Sequence, residues 1–432
     1  MITKPFAEEI RSIFAEYASS VPEAAMLRNR GTIQAYAKNA EATAIVPQYK
    51  FQNTLRPLFG KGIALPPSIG DHPDFEHLRG TGDSEFCAIS TMFMDMEGST
   101  RLNLLHSVED VARIKNAFIC MAIEVVKAFD GHVHRIMGDA VMAYFGGKGA
   151  HADSAAIDAV NCAAVLQLLV RDSVVPYLEK EGFGKEFGIR IGVDHGPEDR
   201  VLWRSYGYPG MEEVTATSFY VDVASKLQHA AGRNEVVIGN SLRELIDFPE
   251  VLLDVKVVIR GGVPEKQPYL TPNLNDSDGK PINYRQHLLK WSSYLETSPL
   301  AGKLIGGDSA SLPKVDATLH SSREGAEEGP FIPAGTLGAK MKVVRFRIAK
   351  LPYLPQLPYT VKCIVENHGE EARKASENSG NHETVYEIKT QADHKDILHW
   401  EPLAYRGLHY LTVEIRTPGK LLHSLRFGVY VE

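Results

Sequence analysis

Cysteine is scarce in this chain: Cys87, Cys120, Cys162 and Cys363 are the only four in 432 residues, and they lie far apart. That spacing excludes a CxxC redox pair, a Cys/His zinc site and the dense disulfide framework of a small secreted domain. A basic surplus is also missing, since 47 Lys and Arg face 54 Asp and Glu, for a net charge of −7. Nucleic acid is therefore not expected as the main ligand, because phosphate backbones recruit domains with excess positive charge. No window approaches the ~18 uninterrupted apolar residues of a membrane span. The first residues carry Glu8 and Glu9 where a signal peptide would need an apolar stretch, so a short amphipathic helix in a cytoplasmic protein is expected. What is present is the composition of a folded chain, 44% apolar, with length for about two to four domains.

Turn-forming residues divide the chain into four parts. Residues 1–85 hold helical pieces and then the segment PPSIGDHPDFEHLRGTGDSE, and are expected as a helical N-terminal arm. From 86 to 270 strands and helices alternate, the pattern of an α+β domain. Residues 271–338 are rich in Asn, Asp, Ser, Gly and Pro around one predicted helix, NYRQHLLKWSSYLE, and read as a linker. Residues 339–432 hold the runs VVRFRI, YTVKCIV, ETVYEI, HYLTVEI and LRFGVYV, whose alternation predicts an all-β, sandwich-like C-terminal domain. In that tail Trp400, Tyr405, His409 and Tyr410 are candidates for a ligand surface, although aromatic residues at strand spacing are more often packing. Lys340, Lys342, Arg345 and Arg347 read as a solvated strand face.

Within 86–270, CAISTMFMDM is a strand, and Ile114, Phe118, Met121, Val125 and Phe129 recur at intervals of three and four, which predicts a long helix. Gly138-Asp139 joins the strands HVHRIM and AVMAYFG as a hairpin turn. A helix over 153–180, the strand GIRIGVDHG, a segment around VLWRSY, a helix over 219–231 and the strand EVVIG complete a β-α-β-β-α-β order with additions. Two aspartates stand out, Asp95 near the end of the first strand and Asp139 at the hairpin apex. If the two strands are neighbours, both carboxylates project from one end of the sheet and can share hard cations. The turn MEGST follows Asp95 and leads into a helix start, whose free N–H groups suit phosphate oxygens. Either aspartate alone is ordinary turn or strand-end chemistry; jointly they point to metal-bound polyphosphate.

The segments FMDMEGST (93–100), HRIMGDAVMAYFG (134–146), YVDVASKLQHAA (220–231) and, more weakly, GIRIGVDHGP (188–197) resemble, in order, the motifs of the class III nucleotidyl cyclases. The resemblance implies a ferredoxin-like catalytic domain and a head-to-tail homodimer with two shared active sites. It implies that Asp95 and Asp139, helped by the Met96 carbonyl, hold two Mn2+ or Mg2+ ions. Phe93 and the backbone of Glu97, Gly98, Ser99 and Thr100 would line the nucleotide and hold its terminal phosphates, and the helix with Asp222 and Lys226 would arrive from the other subunit. Asp222 stands where the family has a ribose-orienting asparagine, and Lys226 where it has a transition-state arginine; lysine keeps the charge but loses the planar fork. Arg260, in VVIRGG, is the candidate for the family's late triphosphate-binding cation.

The same resemblance places the base-selecting positions at Arg135 and Thr215. With no carboxylate between them, guanine lacks an acceptor for its N1–H and N2–H2. Arg135 could donate to a uracil carbonyl while the Thr215 hydroxyl accepts from N3–H, and cytosine would set its amino group against a donor, at about 1–3 kcal/mol if buried. The expected order is UTP, then CTP, then ATP. Over nearly the whole chain, the GDHPDFEHL region, the cyclase domain and the tail with AYRGLHYLTVEI resemble the bacterial Pycsar anti-phage pyrimidine cyclases. Their tail is similar to the adenylyl/guanylyl cyclase and SMODS C-terminal sensor domain. This implies cyclic UMP or cyclic CMP as a signal read by a separate effector. The competing expectation is a non-catalytic nucleotide-binding module, which the departures at Asp222 and Lys226 motivate.

Overall fold

Met92, Met94 and Met96 alternate with Thr91, Phe93 and Asp95, so one strand must send its two sets of side chains to opposite faces. A computed structural model describes residues 3–19, 49–184, 187–270, 275, 277–280, 283–304 and 313–432; part of the expected helical arm, 20–48, lies outside the described residues. The chain begins with α1 (Lys4–Ser19), α2 (Lys50–Leu55) and β1 (Ser84–Phe86). There follow β2 (Ile89–Glu97), α3 (Ser99–Leu105), α4 (Val108–Ala128), β3 (His132–Met137), β4 (Ala140–Phe145), α5 (Ala152–Leu169) and β5 (Gly188–Gly196). The strand order β5-β2-β4-β3, antiparallel at each step, is the ferredoxin-like arrangement expected from the β-α-β-β-α-β reading. The methionine face of β2 packs on the apolar stripe of α4, Ile114, Phe118, Met121 and Val125, and on α5. Helix α4 starts at Ser107, whose hydroxyl accepts the Asp110 N–H at 3.1 Å.

The opposite face carries β6 (Leu202–Tyr208), β7 (Met211–Thr217) and α6 (Phe219–Ala230). β1, β6 and β7 form a small sheet of their own, with Trp203 stacked at 4.0 Å on Phe75 from the N-terminal segment. Helix α6 lies directly on β5 because Gly192 leaves room: a Cβ there would meet Gln228 N at 2.2 Å and Ala224 O at 2.3 Å. Both obstacles are backbone. Gly192→Ala should therefore cost more than the usual overpacking of about 1–3 kcal/mol, read as a lowered thermal midpoint with α6 displaced; a variant as stable as the parent would refute this packing.

After α6 come β8 (Glu235–Gly239), α7 (Asn240–Leu245), β9 (Leu253–Asp254), β10 (Val257–Arg260), β11 (Val263–Lys266), β12 (Tyr269–Leu270), β13 (Tyr284–Leu289) and α8 (Trp291–Leu295). β8 runs parallel to β5, and β13 then adds antiparallel to β8. Here the sequence expectation needs correcting: NYRQHLLKWSSYLE is not one helix inside a linker but a strand followed by a short helix. The open edge of β8 supplies the backbone partners, and Tyr284 Oη donates to the fully buried Asp194 at 2.6 Å, which locks the strand in place. Burial pushes the Asp194 carboxyl up to about 7.

The N-terminal helices are built into the core of the α+β domain. Phe6, Ile10 and Phe14 of α1 and Phe51 and Leu55 of α2 join the cluster around α4. Glu124 of α4 accepts the Phe51 N–H at 2.8 Å and the Gln52 N–H at 3.3 Å, and so caps α2.

The C-terminal part pairs two sheets, one of β14 (Val315–His320), β15 (Glu327–Pro330), β17 (Val343–Ile348) and β20 (Ile397–Pro402). The other holds β16 (Leu337–Gly338), β18 (Tyr359–Glu366), β19 (His382–Ile388), β21 (Gly407–Thr417) and β22 (Lys420–Val431). Phe346, Cys363, Val413 and Phe427 fill its core. Strands β14 and β15 fall in the stretch expected as linker, because their pairing with β17 is long-range and invisible in local composition. Arg345 and Arg347 form ion pairs with Glu327, Asp316 and Asp396 along the strand face. His409 and Tyr410 are buried, as packing residues would be.

This domain docks on α5. Asn161 donates to the Ala334 carbonyl at 2.8 Å, and Arg406 reaches Asp153 at 3.0 Å. Helix α5 carries buried apolar residues on every side because it is covered on both sides, its polar Asp153 and Asn161 being used in these docking contacts. The helical stretch 152–180 is accordingly long and apolar enough to cross a membrane by length and composition, yet its most apolar 18 residues are 89% buried in the protein.

Candidate active site

Two local features place the aspartates. Asp95 ends the apolar stretch of β2, opposite Ala140 of β4. Asp139 immediately precedes Ala140 in the two-residue turn after Met137, where Gly138 takes a φ of 70°. Both carboxylates thus sit at the same end of neighbouring strands, as their spacing predicts. Gly98, with φ 94°, then turns the chain from β2 into α3 and brings Glu97, Ser99 and Thr100 to that end. Met96 is buried against the helices, and Phe93 is half-buried beside the cluster of Tyr144 and Trp203.

The donor set fits hard divalent cations. Among the described residues no group of three or more His, Cys, Asp or Glu forms a self-contained metal cage. Two carboxylates with a neighbouring carbonyl match ions such as Mg2+ that fill their remaining positions with phosphate oxygens and water. The Asp95 side chain is 18% exposed and pairs with Arg190 of β5, while Gln228 Nε2 of α6 approaches it at 3.4 Å. Arg190 is a functional candidate that motif matching passed over. Its signal was a single charged residue inside the apolar strand GIRIGV, and were a cation to take the carboxylate, its guanidinium would be free to hold a phosphate.

At Arg135, expected as a base-selecting residue, a second missed residue appears. The Arg135 guanidinium grips the Glu213 carboxylate through Nε and Nη2, one N–H to each oxygen. Partial burial opposes ionisation of Glu213, but the hydrogen bonds from Arg135, with the electrostatic influence of the nearby His134 and Arg135, hold its carboxyl below the ordinary range. Thr215, two residues along β7 on the same face, is 3.1 Å from the Tyr144 hydroxyl, whose burial pushes its pKa up to about 12. The premise that no carboxylate stands here is therefore overturned. Glu213 was hidden because it meets Arg135 only through the packing of two separate sheets.

Asp222 and Lys226 lie one turn apart on the exposed face of α6 and point away from their own chain's β5. Arg260 stands at the end of the separate β10–β11 ribbon, exposed, with Glu265 at 3.7 Å. Tyr208 and Met211, at the β6–β7 tip, are 76% and 75% exposed.

The sequence profile of the adenylate and guanylate cyclase catalytic domain matches residues 83–263, and that of the adenylyl/guanylyl and SMODS C-terminal sensor domain matches residues 316–432. The fold is that of a nucleotidyl cyclase catalytic domain. A cytidylate cyclase of Escherichia coli is 35% identical over 392 residues, 87% of this chain and 81% of that protein. One from Staphylococcus aureus is 32% identical over 384 residues, covering 87% and 86%. A uridylate cyclase of Gulbenkiania mobilis is 26% identical over 160 residues, 36% of this chain and 61% of that protein. The chain belongs to the nucleotidyl cyclases of the Pycsar type.

Proposed function

We propose that this enzyme converts CTP into 3′,5′-cyclic CMP and pyrophosphate. The observation that carries the choice of base is the Arg135–Glu213 pair. Cytosine offers an N4–H2 donor beside the N3 and O2 acceptors, so Glu213 accepts from the amino group while the N–H groups of Arg135 not used by Glu213 donate to the ring. Uracil reverses both partners, with O4 facing a carboxylate and N3–H facing a guanidinium. The pair thus replaces the expected uracil reading, and the cytidylate cyclases that align over most of the chain support it. They also support a pyrimidine over a purine.

In this reading Asp95, Asp139 and the Met96 carbonyl hold two Mn2+ or Mg2+ ions. When bound, such ions acidify the ribose 3′-hydroxyl and offset charge on the phosphates. The 3′-oxygen bonds to the α-phosphorus, the bond to the β-phosphate bridging oxygen breaks, pyrophosphate leaves, and the hydroxyl proton passes to water. Arg190 and the chain from Glu97 to Thr100 hold the phosphates on the side of the departing group. Phe93 lines the nucleotide. The exposed Asp222 and Lys226 serve the site of a second subunit, Asp222 on the ribose and Lys226 on the phosphates, with Arg260 as a further phosphate cation; the exposed Tyr208 and Met211 suit burial in that homodimer. Positioning and charge stabilisation account for the catalysis. The cyclic nucleotide then signals to a separate effector in phage defence.

The test is incubation of the purified protein with each of the four ribonucleoside triphosphates and Mn2+, with products separated chromatographically. Cyclic CMP and pyrophosphate should form from CTP at least about tenfold faster than any product from the others. Faster turnover of UTP would overturn the choice of base. Binding without turnover of any nucleotide would overturn the enzyme.

A further inference from the structure

Arg135 and Glu213 belong to different sheets, so their separation depends on what spans the gap. Arg135 is on β3 of the eight-stranded sheet, Glu213 on β7 of the three-stranded one. The N-terminal segment from Ile69 to Arg79 touches both. At its start Ile69 bridges Val133 of β3, the Gly70 N–H bonds the Val133 carbonyl at 3.2 Å, and the Gly70 carbonyl lies 2.9 Å from both His132 Nε2 and His134 Nδ1. Its next residue turns to the other sheet: Asp71 Oδ1 accepts the Val214 N–H at 3.0 Å. At its end Arg79 donates through Nη1 to the Glu212 carbonyl, while its Nη2 lies 2.6 Å from Asp71 Oδ2.

The geometry around residue 213 is specific. β7 is an edge strand, paired only with β6, and Glu213 lies opposite Tyr206. The outward-facing groups flanking Glu213, the carbonyl of 212 and the N–H of 214, would ordinarily bond a further strand or water. Here Asp71 and Arg79, ion-paired to each other, take both. They act as a side-chain substitute for a neighbouring strand, centred on the residue whose carboxylate meets Arg135. A bulge in β3 completes the arrangement: Val133 pairs with Ala143 and Arg135 with Met142, so His134 is the extra residue. Its side chain is fully buried, with Nε2 3.0 Å from Glu213 Oε1, and it blocks the carboxylate from swinging away from Arg135.

We propose that Asp71 and Arg79 are positioning residues for base selection: the pair fixes the backbone on either side of Glu213 to the segment anchored on β3, and so sets the Arg135–Glu213 spacing that reads the pyrimidine ring. The proposal rests on the reading of that pair as the base contact. Neither residue touches the nucleotide. Loosening the strut lets β7 shift against β3, which degrades discrimination between pyrimidines before it degrades the metal-dependent chemistry at Asp95 and Asp139, which β2 and the β3–β4 turn hold independently of β7.

The experiment measures kcat and KM of the full-length protein for CTP and UTP in Asp71→Ala, Asp71→Asn and Arg79→Met. Arg79 is half exposed, so its variant serves should Asp71→Ala fail to fold. The ratio of kcat/KM for CTP over UTP should fall at least about tenfold in Asp71→Ala and Arg79→Met, chiefly through a raised KM for CTP. Asp71→Asn keeps the acceptor for the Val214 N–H and should recover most of the ratio. Hydrogen exchange at Val214 should speed up in Asp71→Ala and not in Asp71→Asn. Ratios within twofold of the parent in both disruptive variants would overturn the proposal. If the parent prefers a nucleotide other than CTP, the base reading falls, and the strut is then judged by whether the same variants erode that other preference.

Discussion

Asp139→Asn is expected to lower turnover by about 10^3-fold or more, equivalent to about 4 kcal/mol of transition-state stabilisation. The substitution keeps the shape and one oxygen of the side chain and removes only its charge. Asp139 is partly exposed in a turn whose geometry comes from Gly138, so the fold should be unaffected. The chemistry should be affected, because a hard cation gains little from an amide oxygen, and among the described residues no group of three carboxylates offers a replacement for the missing one. Asp95→Asn should cost as much, but it is the less clean test, since it also leaves Arg190 and Gln228 without the carboxylate they approach. The measurement is single-turnover formation of cyclic CMP at saturating Mn2+, with CTP binding followed separately. Turnover within about tenfold of the parent, with unchanged melting, would mean that Asp139 is not a metal ligand.

Asp95 and Asp139 were legible because each is marked by local rules. The alternation of β2 and the two-residue hairpin fix where those side chains emerge, and the neighbouring of β2 and β4 follows from the strand order. The C-terminal strands were legible for the same reason, their period of two. Residues 284–289 were misread because Leu288, Leu289 and Trp291 also satisfy a helical spacing, and only the open edge of β8 decides for a strand. Glu213 could not be found this way. It is 78 residues from Arg135 in sequence, in a strand that belongs to another sheet, and an acidic residue in EEVTAT has no local feature separating it from a solvated one. Motif comparison directs attention to Thr215 and passes over the carboxylate two residues earlier. Arg190 falls between these cases: a charge in an apolar strand is visible in the sequence, but its purpose appears only when β5 lies beside the end of β2.

Glu213→Ala should lower kcat/KM for CTP by about 10^2-fold and bring UTP level with it or ahead. Two effects act together. The cytosine amino group loses a charged acceptor, worth about 1.5–3 kcal/mol for a hydrogen bond to an ionised group, and Arg135 loses the partner that held it through both Nε and Nη2. The freed guanidinium has donors for the uracil carbonyls, and the repulsion between O4 and the carboxylate is gone, so UTP gains where CTP loses. Glu213→Gln separates charge from shape: its amide oxygen can accept from N4–H2 while its N–H2 can turn to O4, so it should bind both pyrimidines and discriminate poorly. Arg135→Ala should fail differently, weakening both nucleotides, because it removes the donor and leaves a half-buried carboxylate without its guanidinium partner. These signs distinguish a base contact from a purely structural ion pair, which would lower activity on CTP and UTP in equal proportion in all three variants. Equal losses would sink the assignment of Glu213 to the base and return the choice of pyrimidine to Thr215 and the Tyr144 hydroxyl beside it.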